Sequence, residues 1–417
     1  MQSEVQVEVG SQSTQLEPRT LWKNRTFTFL FMGYVLSILG NSFHSIALNL
    51  WVLQSTGSAK LMSIIIITHM VISIFFGSVA GTVADRVDRK RLIWISDMIR
   101  SVFVLGIALC IAFEAPFSII IILTALTAFA GLFQSPAFHA SLVDIVGKEK
   151  VQQATSAINI ADNISRVIGL ALGGIVVAIF GGVIAITMDS LTFFISAILV
   201  LFAGVIPKRQ NSAEQKTFQE DFVSGFKQLW RNTFARSVII LSPAITMFFI
   251  VSLMLIQVMA VKVWKANPVE FGVIEACIPL GYMVGAGIIM FLDKKLKRRG
   301  WYIVISMLLM APLYMVMSFT SSSLIAIPLI FITGFMFSFC SLLINIIMRV
   351  EIDSELQGRM FGILGSITSI TPPIGLAISA FFADIYGPSI VLMINGIALL
   401  AVGACVVLFF KQIWSYQ

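Results

Sequence analysis

Ile168-Gly169-Leu170-Ala171-Leu172 returns near the far end of the chain as Ile374-Gly375-Leu376-Ala377-Ile378. Twelve residues past the glycine of each copy stands another, Gly181 and Gly387, and eight further on Asp189 matches Asn395. Upstream, at nearly the same offset, Gly77, Asp85, Lys90 and Arg91 match Gly285, Asp293, Arg298 and Arg299. Matches that hold register over such distances mark two equivalent halves of parallel topology.

What surrounds the repeat identifies its solvent. Of 417 residues 58% are hydrophobic and only 12% charged, a balance that lipid tolerates and water does not. Apolar runs long enough to cross about 30 Å of hydrocarbon occur at 27–53, 61–84, 92–113, 117–140, 153–180, 182–206, 237–262, 270–292, 301–320, 323–347, 359–384 and 388–410. The expected fold is an all-α membrane protein of twelve transmembrane helices in two six-helix pseudo-symmetric halves. A polar tail (1–21) precedes the first half (22–206), a linker (207–236) leads to the second (237–411), and a short tail (412–417) ends the chain. In the linker, Phe218, Phe222, Phe226 and Trp230 recur every fourth residue beside Lys227 and Arg231, the pattern of an amphipathic helix lying on the membrane surface.

Lys and Arg are retained on the cytoplasmic side of membrane proteins. With the N-terminus inside, all but four of the 28 basic residues fall on that side; Lys60, Lys262 and Lys265 lie outside and Arg166 within a span. The threading thus places both termini in the cytoplasm of a bacterial cell, with the chain in its inner membrane. The formal charge of +7 is accounted for by the inner loops and calls for no nucleic-acid partner. The N-terminal tail lacks the basic start and cleavage site of a signal peptide. Cys110, Cys277, Cys340 and Cys405 show no paired spacing, so neither a disulfide frame nor a metal site nor a cofactor is indicated.

Ionisable groups at membrane depth are costly enough that each needs a reason. Asp162 and Arg166 stand at i, i+4 in span five, where they can pair, either as a structural bridge or as part of a cavity wall. Glu275 in span eight has no basic residue within a turn and apolar neighbours Val273, Ile274, Ala276 and Cys277. It is the first candidate for a group that gains and loses a proton during transport, with Asp162 and Asp189 as the others; the competing reading puts Glu275 at a hydrated outer mouth, idle. Asp97 and Arg100 read as a packing pair near the inner face. Span one repeats Gly33, Ser37, Asn41, Ser45 and Asn49 every fourth position beside His44, and span two repeats His69, Ser73, Gly77 and Gly81. Such stripes face protein or water, never lipid. Asn41, His44, His69, Asn159, Arg166, Gln257, Tyr282 and Asn345 are the candidate cavity residues, with tight helix packing as the alternative.

Gly81-Thr82-Val83-Ala84-Asp85-Arg86-Val87-Asp88-Arg89-Lys90-Arg91, on the inner loop after span two, resembles the loop signature of the major facilitator superfamily. Thr56-Gly57-Ser58-Ala59, Ser135-Pro136-Ala137-Phe138, Gly225-Phe226 and Gln357-Gly358-Arg359 resemble its macrolide-efflux and enterobactin-exporter branch. The resemblance implies a monomeric secondary transporter that exports small amphipathic compounds by alternating access, with a proton as the counter-ion and lipid as its only other contact. It also implies that Gly77, Gly81, Asp85, Arg86, Arg89, Lys90 and Arg91 form a gating latch. Asp85 would meet the positive N-terminal end of span eleven, and the glycines would let span two approach a neighbour, when the cavity faces outward. A loop that merely sets topology by charge is the simpler alternative. Span five carries Gly169-Leu170-Ala171-Leu172-Gly173-Gly174 where proton-driven exporters have a Gly-Pro motif, so the direction of transport rests on the branch resemblance. A siderophore or metabolite exporter, a lipid transporter, a nutrient importer and, from another class, a channel remain as alternatives. No HExxH, GxSxG or GxxxxGK[ST] motif is present, which argues against an enzyme or a nucleotide-driven pump.

Overall fold

The computed structural model describes residues 21–206, 230, 233–292, 296–352 and 354–414. Twelve long helices carry the chain back and forth: α1 (Arg25–Thr56), α2 (Ala59–Arg86), α3 (Arg89–Ala112), α4 (Phe117–Val146), α5 (Val151–Phe180), α6 (Gly182–Phe202), α7 (Thr233–Lys262), α8 (Pro268–Leu292), α9 (Arg299–Phe319), α10 (Ser323–Glu351), α11 (Ser354–Tyr386) and α12 (Pro388–Phe409). Each is long and apolar enough to cross a membrane. The linker residues Phe218, Phe222 and Phe226, the latch counterpart Asp293 and the N-terminal tail lie outside the described residues. Helix is the form open to these segments because hydrocarbon offers backbone N–H and C=O groups no partner but each other. The helices overrun the apolar runs because they continue to a stop: Asn24, Ser58 and Asp88 accept a backbone N–H at the starts of α1, α2 and α3, and Gly57 ends α1 with φ 61°. A short helix, α13 (Lys411–Trp414), buries Ile413 and sets Trp414 against Trp301, so residues 412–414 pack on the bundle where a tail was expected.

The repeat is visible in the packing. In the first half α1 lies against α5 and α6, α3 against α4 and α6, and α2 against α4; the second half repeats this with α7 against α11 and α12, α9 against α10 and α12, and α8 against α10. The paired glycines of the sequence repeat, Gly181 and Gly387, turn the chain between helices at φ 85° and 88°, a conformation that L side chains resist. Between the halves, α5 packs on α8 and α2 on α11. Large apolar side chains such as Phe113, Phe202, Phe291 and Phe319 are exposed around the bundle, as a lipid-facing surface requires.

Candidate functional site

The two ends of the bundle differ. At the end opposite the termini the halves are joined. Asp384, near the end of α11, accepts hydrogen bonds from Ser58 Oγ (2.7 Å), Ala59 N (2.7 Å) and Lys60 N (3.1 Å) at the start of α2, and Lys262 Nζ lies 3.7 Å from it. Nearby, α5 and α8 touch backbone to backbone at Gly174 and Gly272, where a Cβ on Gly272 would come within 2.9 Å of Gly174 Cα. At the terminal end, a Cβ added to Gly77 or Gly81 of α2, or to Gly358, Gly362 or Gly365 of α11, would meet nothing within 4 Å. The close approach expected at Gly77 and Gly81 is therefore not made in this conformation, because the halves are drawn together at the other end.

The described contacts of the expected latch residues lie within the first half. Asp85 is exposed, with Arg89 at 3.9 Å. Arg89 bonds Asp144 Oδ2 at 2.5 Å and Ala140 O at 2.9 Å, tying the start of α3 to the last turns of α4. Lys90 donates to Leu201 O and Ala203 O at the end of α6. Arg86 and Arg91 are exposed.

Between α1, α2, α3, α4 and α6 the first half encloses a cavity of about 440 Å³. It exists because α1 and α2 diverge: α1 packs on α5 and α6, while α2 leans on α4 and α11. Arg100 is the hub of its wall. The guanidinium donates to Gln134 Oε1 (2.9 Å) and Asn41 Oδ1 (3.0 Å), lies 3.9 Å from Asp97 Oδ1 and sits 3.8 Å above the Phe193 ring. Asp97, fully buried, also accepts from Ser196 Oγ at 2.7 Å. His44 Nδ1 stands 3.3 Å from Asp189 Oδ2, close enough for an ion pair but without hydrogen-bond alignment, and His69 lines the same space. Ser37 Oγ, His44 Nδ1, Arg100 Nε, Thr124 Oγ1 and Asp189 Oδ2 are shielded from solvent and make no hydrogen bond to the protein, and all five belong to residues of this wall. Buried polar atoms in that state are suited to a polar occupant.

One expectation is corrected here. Arg100 is no inner-face residue: α3 begins at Arg89, so Arg100 lies roughly 16 Å further along the helix axis. Asp189 also faces the cavity, because small residues let α6 sink against α1; Gly33 meets Ser196 and Gly40 meets Thr192 and Asp189, which turns the carboxylate inward. In the second half the contact becomes neutral, Asn395 Nδ2 donating to Ser252 Oγ at 2.7 Å.

The other predicted residues are dispersed. Arg166 and Asp162 pair at 3.5 Å, Tyr34 reaches Asp162 Oδ1 at 3.4 Å, and the Arg166 side chain is 56% exposed. Asn159 is exposed on the same helix. Glu275 is half-buried and accepts from Gln257 Nε2 at 2.7 Å, with Glu275 Oε1 and Gln257 Oε1 shielded and unpartnered. Tyr282 rests near Phe337, and Asn345 bonds back to Ser341 O on its own helix. Among the described residues no cluster could hold a metal ion. The structure adds Asp97, Arg100, Gln134 and Asp384. The first two carried a signal, charge at i, i+3 within an apolar run; Gln134 and Asp384 acquire meaning only from their partners.

Residues 30–371 and 264–413 match the profile of the Major Facilitator Superfamily. The chain belongs to the major facilitator superfamily. It is 23% identical to Macrolide efflux protein A of Streptococcus pyogenes, over 93% of this chain and 96% of that protein. It is 22% identical to the multidrug efflux pump Tap of Mycolicibacterium fortuitum, over 84% and 87%. The crystal structure of the nucleoside transporter NupG superposes with a TM-score of 0.75 at 12% identity, over 93% of this chain and 99% of that one, and so shares its fold. This superfamily member is a multi-pass membrane transporter, not an enzyme.

Proposed function

We propose that the transporter exports small amphipathic or hydrophobic compounds, drug-like or macrolide-like, by alternating access in exchange for protons. The observation that carries this reading is the joining of the halves at the end opposite the termini, while Gly77, Gly81, Gly362 and Gly365 at the other end stand clear of other elements, together with a polar cavity in the first half. Charge placement supports a cytoplasmic terminal end in a bacterial inner membrane, so this conformation would face inward, ready to load. The cavity wall at Asn41, His44, His69, Arg100 and Gln134 suits the polar part of a cargo, while its apolar part would lie between the halves. For the proton, Glu275 stays the first candidate, since it accepts from the uncharged amide of Gln257; Asp162 is engaged by Arg166 and Asp189 by His44. The efflux relatives support the direction.

The test is accumulation of a panel of dyes and antibiotics in cells with and without the protein, with and without a protonophore. Lower accumulation of some compounds, restored by the protonophore, is the expected result. Equal accumulation of every compound, or an ohmic current in place of saturable flux, would refute it.

A further inference from the structure

We infer that Asp384 is a second latch, working at the opposite end of the same helix pair that carries the Asp85 latch. The inference rests on the alternating-access reading but not on cargo or direction. Asp384 sits in the last turns of α11 and accepts three hydrogen bonds from the first residues of α2, two of them from backbone N–H groups that the helix itself leaves unpaired. A carboxylate placed there also meets the positive end of the α2 dipole. Lys262, at the end of α7, adds a third helix to the contact at 3.7 Å.

The sequence signature expects the converse at the terminal end: Asp85, at the end of α2, facing the start of α11. Each helix thus carries a carboxylate near its C-terminal end aimed at the other's N-terminal end. Because α2 spans about 42 Å, two rigid helices that separate at the terminal end while joined at Asp384 cannot engage Asp85 at the same time. Here the Asp384 contacts are formed, and Gly77 and Gly81 near Asp85 stand clear of other elements. The pseudo-symmetric crossing of α5 on α8 has no such device: the repeat places Ala178 where α11 has Asp384, and contact there is made by the backbones at Gly174 and Gly272. The polar contact that must break for the opposite end to open is therefore concentrated on α2 and α11.

The experiment is double electron–electron resonance on the full chain in nanodiscs without substrate or gradient, after replacing the four native cysteines. Spin labels at Glu114 and Ser321 report the opposite end, and labels at Lys148 and Lys297 the terminal end. Asp384→Ala should shift the ratio of the two states about tenfold toward opening at Ser321 and closure at Lys297, in keeping with the loss of a charge at a helix start. Asp384→Asn should shift it less, since the amide oxygen still accepts from Ala59 N. Asp85→Asn should move the ratio the other way, and Asp85→Asn with Asp384→Ala should return it toward the wild-type value, a compensation that a purely structural role would not produce. Wild-type distances in Asp384→Ala, or a double variant no nearer wild type than either single one, would overturn the inference. Should the alanine variant fail to fold, unchanged distances in Asp384→Asn decide the matter in the same way. Absence of drug export by the wild-type protein in cells, with the expected distance shifts intact, would instead count against the export reading alone.

Discussion

Replacing Arg100 with Met would remove the hub of the first-half network while leaving its volume nearly filled. Arg100 faces Asp97 at 3.9 Å, and Asp97 has no exposed side-chain surface. At that distance two unit charges attract by roughly 4 kcal/mol for an effective dielectric constant of about 20. Once the guanidinium is gone, Asp97 keeps the Ser196 hydroxyl but loses its opposing charge, and Asn41 and Gln134 lose a charged donor. Stranding a buried charge in this way costs about 3–5 kcal/mol, whereas removing both partners is nearly neutral. Arg100→Met should therefore lower stability by that amount, and Arg100→Met with Asp97→Asn should recover most of it. Thermal unfolding in detergent can be followed with a thiol-reactive dye, because Cys277 and Cys340 are buried until the bundle opens. A single variant as stable as wild type, or a double variant no better than the single, would show that pairing with Asp97 is not the role of Arg100.

Three further outcomes are expected. Arg166→Ala should change the midpoint of thermal unfolding little, by no more than about 1 kcal/mol in stability, because the Arg166 side chain is 56% exposed; transport should suffer more in that variant than in one that also carries Asp162→Ala, and equal defects would remove the pairing argument. Glu275→Gln, which preserves shape beside Gln257, should abolish uphill transport driven by a pH gradient in proteoliposomes while energy-independent substrate exchange survives; continued uphill transport would shift the coupling role to Asp162 or Asp189. Gly174→Leu should prevent the halves from meeting at the opposite end, since even a Cβ there would strike the Pro268 carbonyl oxygen and Gly272, and cross-linking between cysteines placed at Ala178 and Val269 should fall at least tenfold if that contact is made in the working protein.

Much of the fold was legible because lipid narrows the choices. Each apolar run in water-free surroundings must become a helix, so run lengths alone specify twelve of them. In the second half α7 already includes Thr233 where the apolar run suggested 237, because helical hydrogen bonding continues past the edge of hydropathy. The candidate site was legible only in pieces. The stripes on spans one and two put Asn41, His44 and His69 on polar faces, and in the structure all three line the first-half cavity. The dispersal of Asn159, Tyr282 and Asn345 could not be read, because a polar residue on a helix shows which face it occupies and not what lies opposite.

What the sequence determined by itself was the solvent, the helix count, the two-fold repeat and the loop signature after span two, all of them properties of runs and spacings along one strand of chain. What only the tertiary structure decided was which end is closed and which charges meet. Ser58 and Asp384 are separated by 326 positions, and the Arg100 network draws on four helices that share no motif. Both arise from how rigid helices lean on one another: α2 leaves α1 to pack on α4 and α11, and that single divergence creates the cavity and brings the start of α2 under the Asp384 carboxylate. Periodicity along a helix specifies a face, but the partner of that face is set by packing between helices distant in sequence.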